Sequence, residues 1–274
     1  MNDNRRRTYS DEEELEELRE LAESLGLKLG KLTQSGSDAN LVGLRSEHML
    51  FSRRLDSRTY FVHDVRYGVG REAGVHAGPK REHLEACRRI LATLEIPLDE
   101  IGDEQVFTEQ TQVAHVDPQG KVVGKEEVQE GRHLASLSRQ LNGLPVWSSS
   151  MLLGLTADSG IGYLQLHWPE LPAHAVHEAR RLAHKLNKDW QAPEREGAEV
   201  EAAEAVIVHS PAVALCMDIY PAIRVIYRPT DPRFGQKVVE HLDRHGKHVP
   251  VPRQAELPSE EPQQRPGRAD EGEA

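Results

Sequence analysis

The chain has 274 residues, enough for one large domain or two of ordinary size, and its 38% hydrophobic and 5% aromatic content calls for a mainly aliphatic core. No run approaches the roughly 20 apolar residues of a membrane span, and a net charge of −11 opposes long-range attraction to nucleic acid or to an anionic membrane surface. Two cysteines, Cys87 and Cys216, with no CxxC pair, exclude a disulfide scaffold and read as two buried thiols.

Arg5-Arg6-Arg7 is followed by Asp11-Glu12-Glu13-Glu14, where an export signal needs an apolar core, so the expected location is cytoplasmic. Residues 10–25 read as a helix. Ser10 and Glu13 form a capping box, Leu15, Leu18, Leu21, Ala22 and Leu25 recur at helical spacing, and Gly26 stops it. Residues 30–40, rich in Gly and Ser, read as a loop. Short strands follow at residues 41–44, 49–51 and 59–67.

The glycines of residues 68–79 mark a loop, and Gly68-Val69-Gly70 lacks the third glycine of a dinucleotide fingerprint, so no cofactor is implied there. Pro79 opens a second helix with Leu84, Cys87, Leu91 and Leu94 on one stripe. Strands at residues 105–116 and 121–128 flank Asp117-Pro118-Gln119-Gly120, a β-turn sequence. A further strand spans residues 133–141. Strands at 152–156 and 161–168 flank Ala157-Asp158-Ser159-Gly160 as a second hairpin, which makes the middle of the chain an antiparallel meander.

Residues 172–188 form a third helix, with Ala175, Val176, Ala179, Leu182, Ala183 and Leu186 on its apolar face. After a polar linker at 191–198, strands are expected at 202–209, 213–220 and 223–228, the last two broken by Pro221. Residues 234–242 read as a strand or a short helix. From Arg253 the chain is polar and expected to be disordered.

These elements predict an α+β protein: two related units of one helix packed on an antiparallel sheet, plus an N-terminal helix. The expected boundaries are 1–40 (N-terminal helix and linker), 41–171 (first unit), 172–252 (second unit) and 253–274 (tail). The order helix then antiparallel strands occurs twice, which suggests internal duplication.

Ser148-Ser149-Ser150 lacks the Gly-x-Ser-x-Gly elbow and the Ser-x-x-Lys spacing of serine nucleophiles. Alternation places Trp147, Ser149, Met151, Leu153 and Leu155 on one strand face, so the serines read as structural. Trp147, Trp168 and Trp190 read as packing anchors. His63, Asp64 and Asp218 are acid–base candidates without a discernible partner.

Fourteen histidines are present. His174, His177 and His184 lie within an arc of about 80° on the third helix, opposite its apolar face. His241, His245 and His248 cluster near Asp243. The first set is the candidate ligand set for zinc or another divalent metal, in a metal-binding protein or metal-dependent hydrolase. A small-ligand pocket between helix and sheet is a further possibility.

The stretch Gln140-Leu141-Asn142-Gly143-Leu144-Pro145-Val146-Trp147-Ser148, then an apolar strand and Asp158-Ser159-Gly160, resembles the propeptide modules of thermolysin-type metalloproteases and the related PepSY domains. The likeness is strongest over residues 139–168. It implies an antiparallel sheet curled around a helix, with Asn142 and Gly143 in a turn, Pro145 at an edge position and Trp147 in packing. It implies no catalytic residues. The function expected is that of a non-enzymatic protein-binding or regulatory module, which takes another protein or peptide at a sheet edge or concave face.

Overall fold

The computed structural model describes residues 11–38, 40–55, 57–68, 71–113, 127–186, 188, 190–209, 219–231 and 236–249, together with residues 117, 119 and 123. The expected features at Ser10, Cys216, Asp218, most of the Asp117–Gly120 turn and the tail from Arg253 lie outside the described residues. Elements follow in the order α1 (Asp11–Ser24), β1 (Leu32–Asp38), β2 (Leu41–Ser46), β3 (Met49–Arg54), β4 (Thr59–Asp64), α2 (Lys80–Thr93), β5 (Ile101–Val113), β6 (Glu127–Leu141), β7 (Leu144–Leu155), β8 (Ile161–His167), α3 (Ala173–Leu186), β9 (Ala198–His209), β10 (Ile219–Pro229) and β11 (Val238–Leu242).

The expectation of two related helix-plus-sheet units is overturned. All eleven strands join one mixed sheet, ordered β1-β2-β3-β4-β8-β7-β9-β10-β11, with β6 beside β7 and β5 beside β6. The helices are not equivalent: α2 packs on β5, β6 and β7, whereas α3 packs on β9 and β10. Strand order does not repeat, so the duplication falls with the two units. The expected meander is present as β5 to β8, each strand antiparallel to the next.

Two apolar clusters sit on this sheet. The larger gathers Leu18 and Ala22 of α1, Cys87 and Leu91 of α2, and Phe51, Val62, Leu137, Met151, Leu153, Leu164, Leu166 and Trp168. Cys87 is a buried free thiol. The smaller gathers Ala179 and Leu182 of α3 with Leu144, Val146, Ile207, Ile223, Val225 and Tyr227.

Strand β7 belongs to both clusters, and a bulge makes that possible. Ser138 of β6 faces Ser150 while the next residue, Arg139, faces Val146, so Trp147, Ser148 and Ser149 have no opposite number on β6. Where the bulge begins, Val146 and Trp147 pair in parallel with Ile207 and Val208 of β9. After it, Ser150 to Leu155 pair antiparallel with β8.

Three extra residues reverse the side-chain parity. Leu144 and Val146 are buried before the bulge, Ser149 within it, and Met151, Leu153 and Leu155 after it. The single face expected for Trp147 and Met151 is therefore wrong: Trp147 instead packs with Val206, Val208 and Ala222. Ser148 takes φ +73°, a left-handed conformation that L side chains rarely adopt.

Beside the bulge, Arg139 is almost fully buried. Its guanidinium donates to the Glu100 carboxylate (Nε, 2.8 Å) and to the Pro169 carbonyl (2.5 Å), and it lies 5.4 Å from the Trp168 ring. Trp168 Nε1–H donates to the same carboxylate at 3.0 Å. Removing one partner of such a pair leaves a buried charge and costs about 3–5 kcal/mol. Asn142 (φ +52°) and Gly143 (φ +80°) close the two-residue β6–β7 hairpin as an Asn-Gly sequence should.

Three further expectations change. Residues 32–38 form β1, an edge strand, not a loop. Of the strand expected at 121–128, residues 127 and 128 run on with 133–141 as one strand, β6, and residues 121, 122 and 124–126 lie outside the described residues. Pro221 does not break β10, because it pairs with Ile207 of β9 at a point beyond the Ile223–Tyr227 stretch that faces β11, where a missing N–H is tolerated.

The backbone at Ser148 yields a stability test. Ser148→Gly is expected to match or exceed the parent in urea unfolding. Ser148→Val is expected to lose about 2 kcal/mol or more, since a β-branched residue resists positive φ. The reverse ranking would contradict the bulge.

Candidate functional site

Helix α3 carries three Lys/Arg, three His and one Glu in AHAVHEARRLAHKL, whereas α1 carries eight acids and one Arg in DEEELEELRELAES. Burial of Ala175, Ala179 and Leu182 fixes the rotation of α3 and turns His177, Glu178, Arg180, Arg181, His184 and Lys185 to the exterior. These residues line a groove of about 950 Å³, whose other wall is Pro221 and the turn Asp243, Arg244 and His245 after β11.

The turn is locked from within. One Asp243 oxygen accepts the backbone N–H groups of His245 (2.7 Å) and Lys247 (3.0 Å), which hold its carboxyl below the usual range. The Arg244 Nε–H donates to His245 Nε2 at 2.9 Å. Among the described residues Arg180, Arg181, Lys185 and Arg244 have no ion-pair partner, although carboxylates outnumber cations by 45 to 34 in the chain.

The histidine clusters expected from sequence are split. His177, His184 and His245 share the groove; His174 is exposed outside it, His248 lies 3.8 Å from Glu240, and His241 is buried on the opposite side of the sheet's β9–β11 end from α3. Seven residues separate His177 from His184, about 10 Å along the helix axis, too far for two ligands of one ion. Among the described residues no three His, Cys, Asp or Glu side chains come together to hold a metal ion. The zinc or divalent-metal alternative on His174, His177 and His184 thus lacks its ligand set there.

Two other polar assemblies are prominent. Trp147 lies 5.0 Å from the Arg224 guanidinium and 5.1 Å from the His241 ring, and Arg224 pairs with Glu204. His241 Nε2, Arg224 Nε and the hydroxyls of Ser148 and Ser149 are buried without hydrogen-bond partners. Among the described residues neither serine hydroxyl is hydrogen-bonded to a base. Burial, reinforced by the Arg224 charge, pushes the His241 pKa down to about 4.

The second assembly lies at the first core. The Tyr67 side chain fits against Gly154 and Gly162, where a Cβ would come within 2.2 Å of its hydroxyl oxygen and 2.4 Å of its ring. Burial pushes the Tyr67 hydroxyl up to about 12. Arg132 lies near Tyr67 and Tyr163 and pairs with Glu109 through two bonds of 2.7 and 2.8 Å. His76, His83 and His133 follow in a row, ring centres 5.1 and 5.8 Å apart, and His83 is lowered chiefly by burial. A smaller recess of about 380 Å³ near Asp64 is lined by two ion pairs, Asp64 with Arg66 and Asp158 with Lys28, and by Glu72. His63 and Asp64 form no acid–base pair: Asp64 is held by Arg66, and His63 packs on Phe61 and Tyr163.

Sequence reasoning singled out the histidines of α3 and passed over Arg180, Arg181, Lys185 and Arg244. The available signal was the basic bias of one helix in an acidic chain. Comparison with family models, with curated proteins and with solved structures finds no match to this chain. No helix of the described residues is long and apolar enough to cross a membrane.

His241 generates a pH test. The unfolded chain takes up a proton near the ordinary pKa of 6.5, but the folded chain only near 4, so stability is intact above 6.5 and falls as pH drops through that window. The loss amounts to about 3 kcal/mol by pH 4. His241→Leu, which retains His83, is expected to lose correspondingly less between pH 7 and pH 4 in urea titrations; parallel losses would contradict the buried neutral imidazole.

Proposed function

We propose that this chain is a non-enzymatic protein-binding module whose partner presents an acidic segment to the α3 groove. The observation that carries the reading is the set of four cations, Arg180, Arg181, Lys185 and Arg244, lining one groove without ion-pair partners. Unpaired like charges on one face repel one another, and an anionic ligand relieves that repulsion. From His177 to Lys185 the helix offers about 12 Å of groove, the span of three or four residues of extended chain.

The sheet edges are less suited to receive a strand. Strand β1 carries a bulge between Leu32 and Gln34, and β5 carries one between Ile101 and Glu104. Strand β11 is short, and its free side is partly met by the chain folding back, with Val249 N–H donating to the His241 carbonyl. These are devices that discourage edge pairing.

Nucleic acid is disfavoured by the net charge and by the lack of any Trp, Tyr or Phe in the groove lining to stack a base. The resemblance of residues 139–168 to PepSY-type modules supports the reading in kind, as a binding module without catalytic residues.

Calorimetric titration of the full chain with a peptide carrying about four consecutive glutamates tests this. Binding is expected at low salt, weakened by added salt and reduced about tenfold or more by Arg180→Glu with Arg181→Glu. Equal binding by the double variant, or tighter binding of a single-stranded oligonucleotide than of the peptide, would overturn it.

A further inference from the structure

The hydroxyls of Ser148 and Ser149 have no hydrogen-bond partner among the described residues, but another serine is bonded to a base. Ser159, in the β7–β8 turn, has its Oγ 3.3 Å from His76 Nδ1, and His76 Nε2 lies 2.7 Å from a Glu82 carboxylate oxygen. The three residues come from separate segments, joined by backbone bonds. His76 N–H donates to the Leu155 carbonyl at 2.9 Å, and Ala157 N–H donates to the Ala73 carbonyl at 3.0 Å. Ser159 stands at φ +65°, and the His76 side chain is 11% exposed. A Cβ on Gly78 would lie 2.2 Å from His76 Nε2 and 2.6 Å from the Glu82 oxygen, so the pair requires glycine there.

Glu82 sets the tautomer. A proton on Nε2 is held by the carboxylate, which leaves the Nδ1 lone pair to accept the Ser159 hydroxyl proton. From this geometry we infer that Ser159 is a nucleophile that accepts an acyl group from esters, at a site separate from the α3 groove and independent of the binding reading. The Oγ–C bond forms as the ester C–O bond breaks; the serine proton passes to His76 Nδ1 and then to the departing alcohol oxygen.

Formation and release of the acyl-serine each pass through a tetrahedral oxyanion, and the turn offers neither step a backbone donor. The Ser159 N–H donates to the Thr156 carbonyl and the Gly160 N–H to the Asp158 carboxylate, so neither is free to stabilise an oxyanion. Transfer is therefore expected from esters with good leaving groups, and release to water is slower, so the acyl group accumulates on Ser159.

The test is incubation of the full chain with p-nitrophenyl acetate, with nitrophenolate release followed and the acetylated peptide identified by mass spectrometry. A stoichiometric burst with acetyl on Ser159 is expected, absent in Ser159→Ala and slowed about 100-fold in His76→Ala, as loss of a general base requires. Glu82→Gln, at a half-exposed carboxylate, is expected to slow it about tenfold and serves if His76→Ala does not fold. No acetyl on Ser159, or acetylation at parental rate in the folded His76 and Glu82 variants, would overturn the inference.

Discussion

The architecture turns on the three-residue bulge at Trp147, Ser148 and Ser149. A regular β7 would keep one face inward along its length and could serve one core only. With the extra residues, Leu144 and Val146 point into the cluster under α3, and Met151, Leu153 and Leu155 point into the cluster under α1 and α2. The same residues are where β9 is replaced by β8 as the neighbour of β7. Arg139, on the facing strand, ties this point through Glu100 to Trp168 in the larger core.

From that fork the groove follows. Strand β9 joins β7 in parallel, β10 and β11 extend the sheet, and α3 covers β9 and β10 with its alanine and leucine stripe. Once the stripe is buried, the cations of α3 have only outward directions. The turn after β11, locked by Asp243, brings Arg244 and His245 opposite them. On the other face Trp147, carried by the bulge, lies against Arg224 and His241, so one distortion shapes both sides of the β9–β11 end.

Local features were legible in the sequence wherever local physics decides them. The stripe Leu84, Cys87, Leu91 and the Asn142-Gly143 turn predicted α2 and the β6–β7 hairpin because spacing and positive φ are properties of a few adjacent residues. Alternation on either side of Ser148 looks continuous in the sequence; only the partner strand reveals the parity change. Pro221 read as a break because the sequence does not tell that β11 stops short of it. Sheet continuity, and with it the failure of the two-unit arrangement, depends on pairings between distant segments. Of the candidate site, 100° arithmetic placed His177 and His184 on the outer face of α3. Their convergence with His245, and that of Ser159 with His76 and Glu82, needed the fold.

The central claim is that the α3 groove receives an acidic chain. Amide chemical-shift mapping of the isotopically labelled full chain, titrated with a glutamate-rich peptide, tests it most directly. The account predicts perturbations concentrated at residues 177–185 and 243–245, with β1 and β5 unmoved. Perturbations running along β5 or β1, or none at saturating peptide, would contradict it.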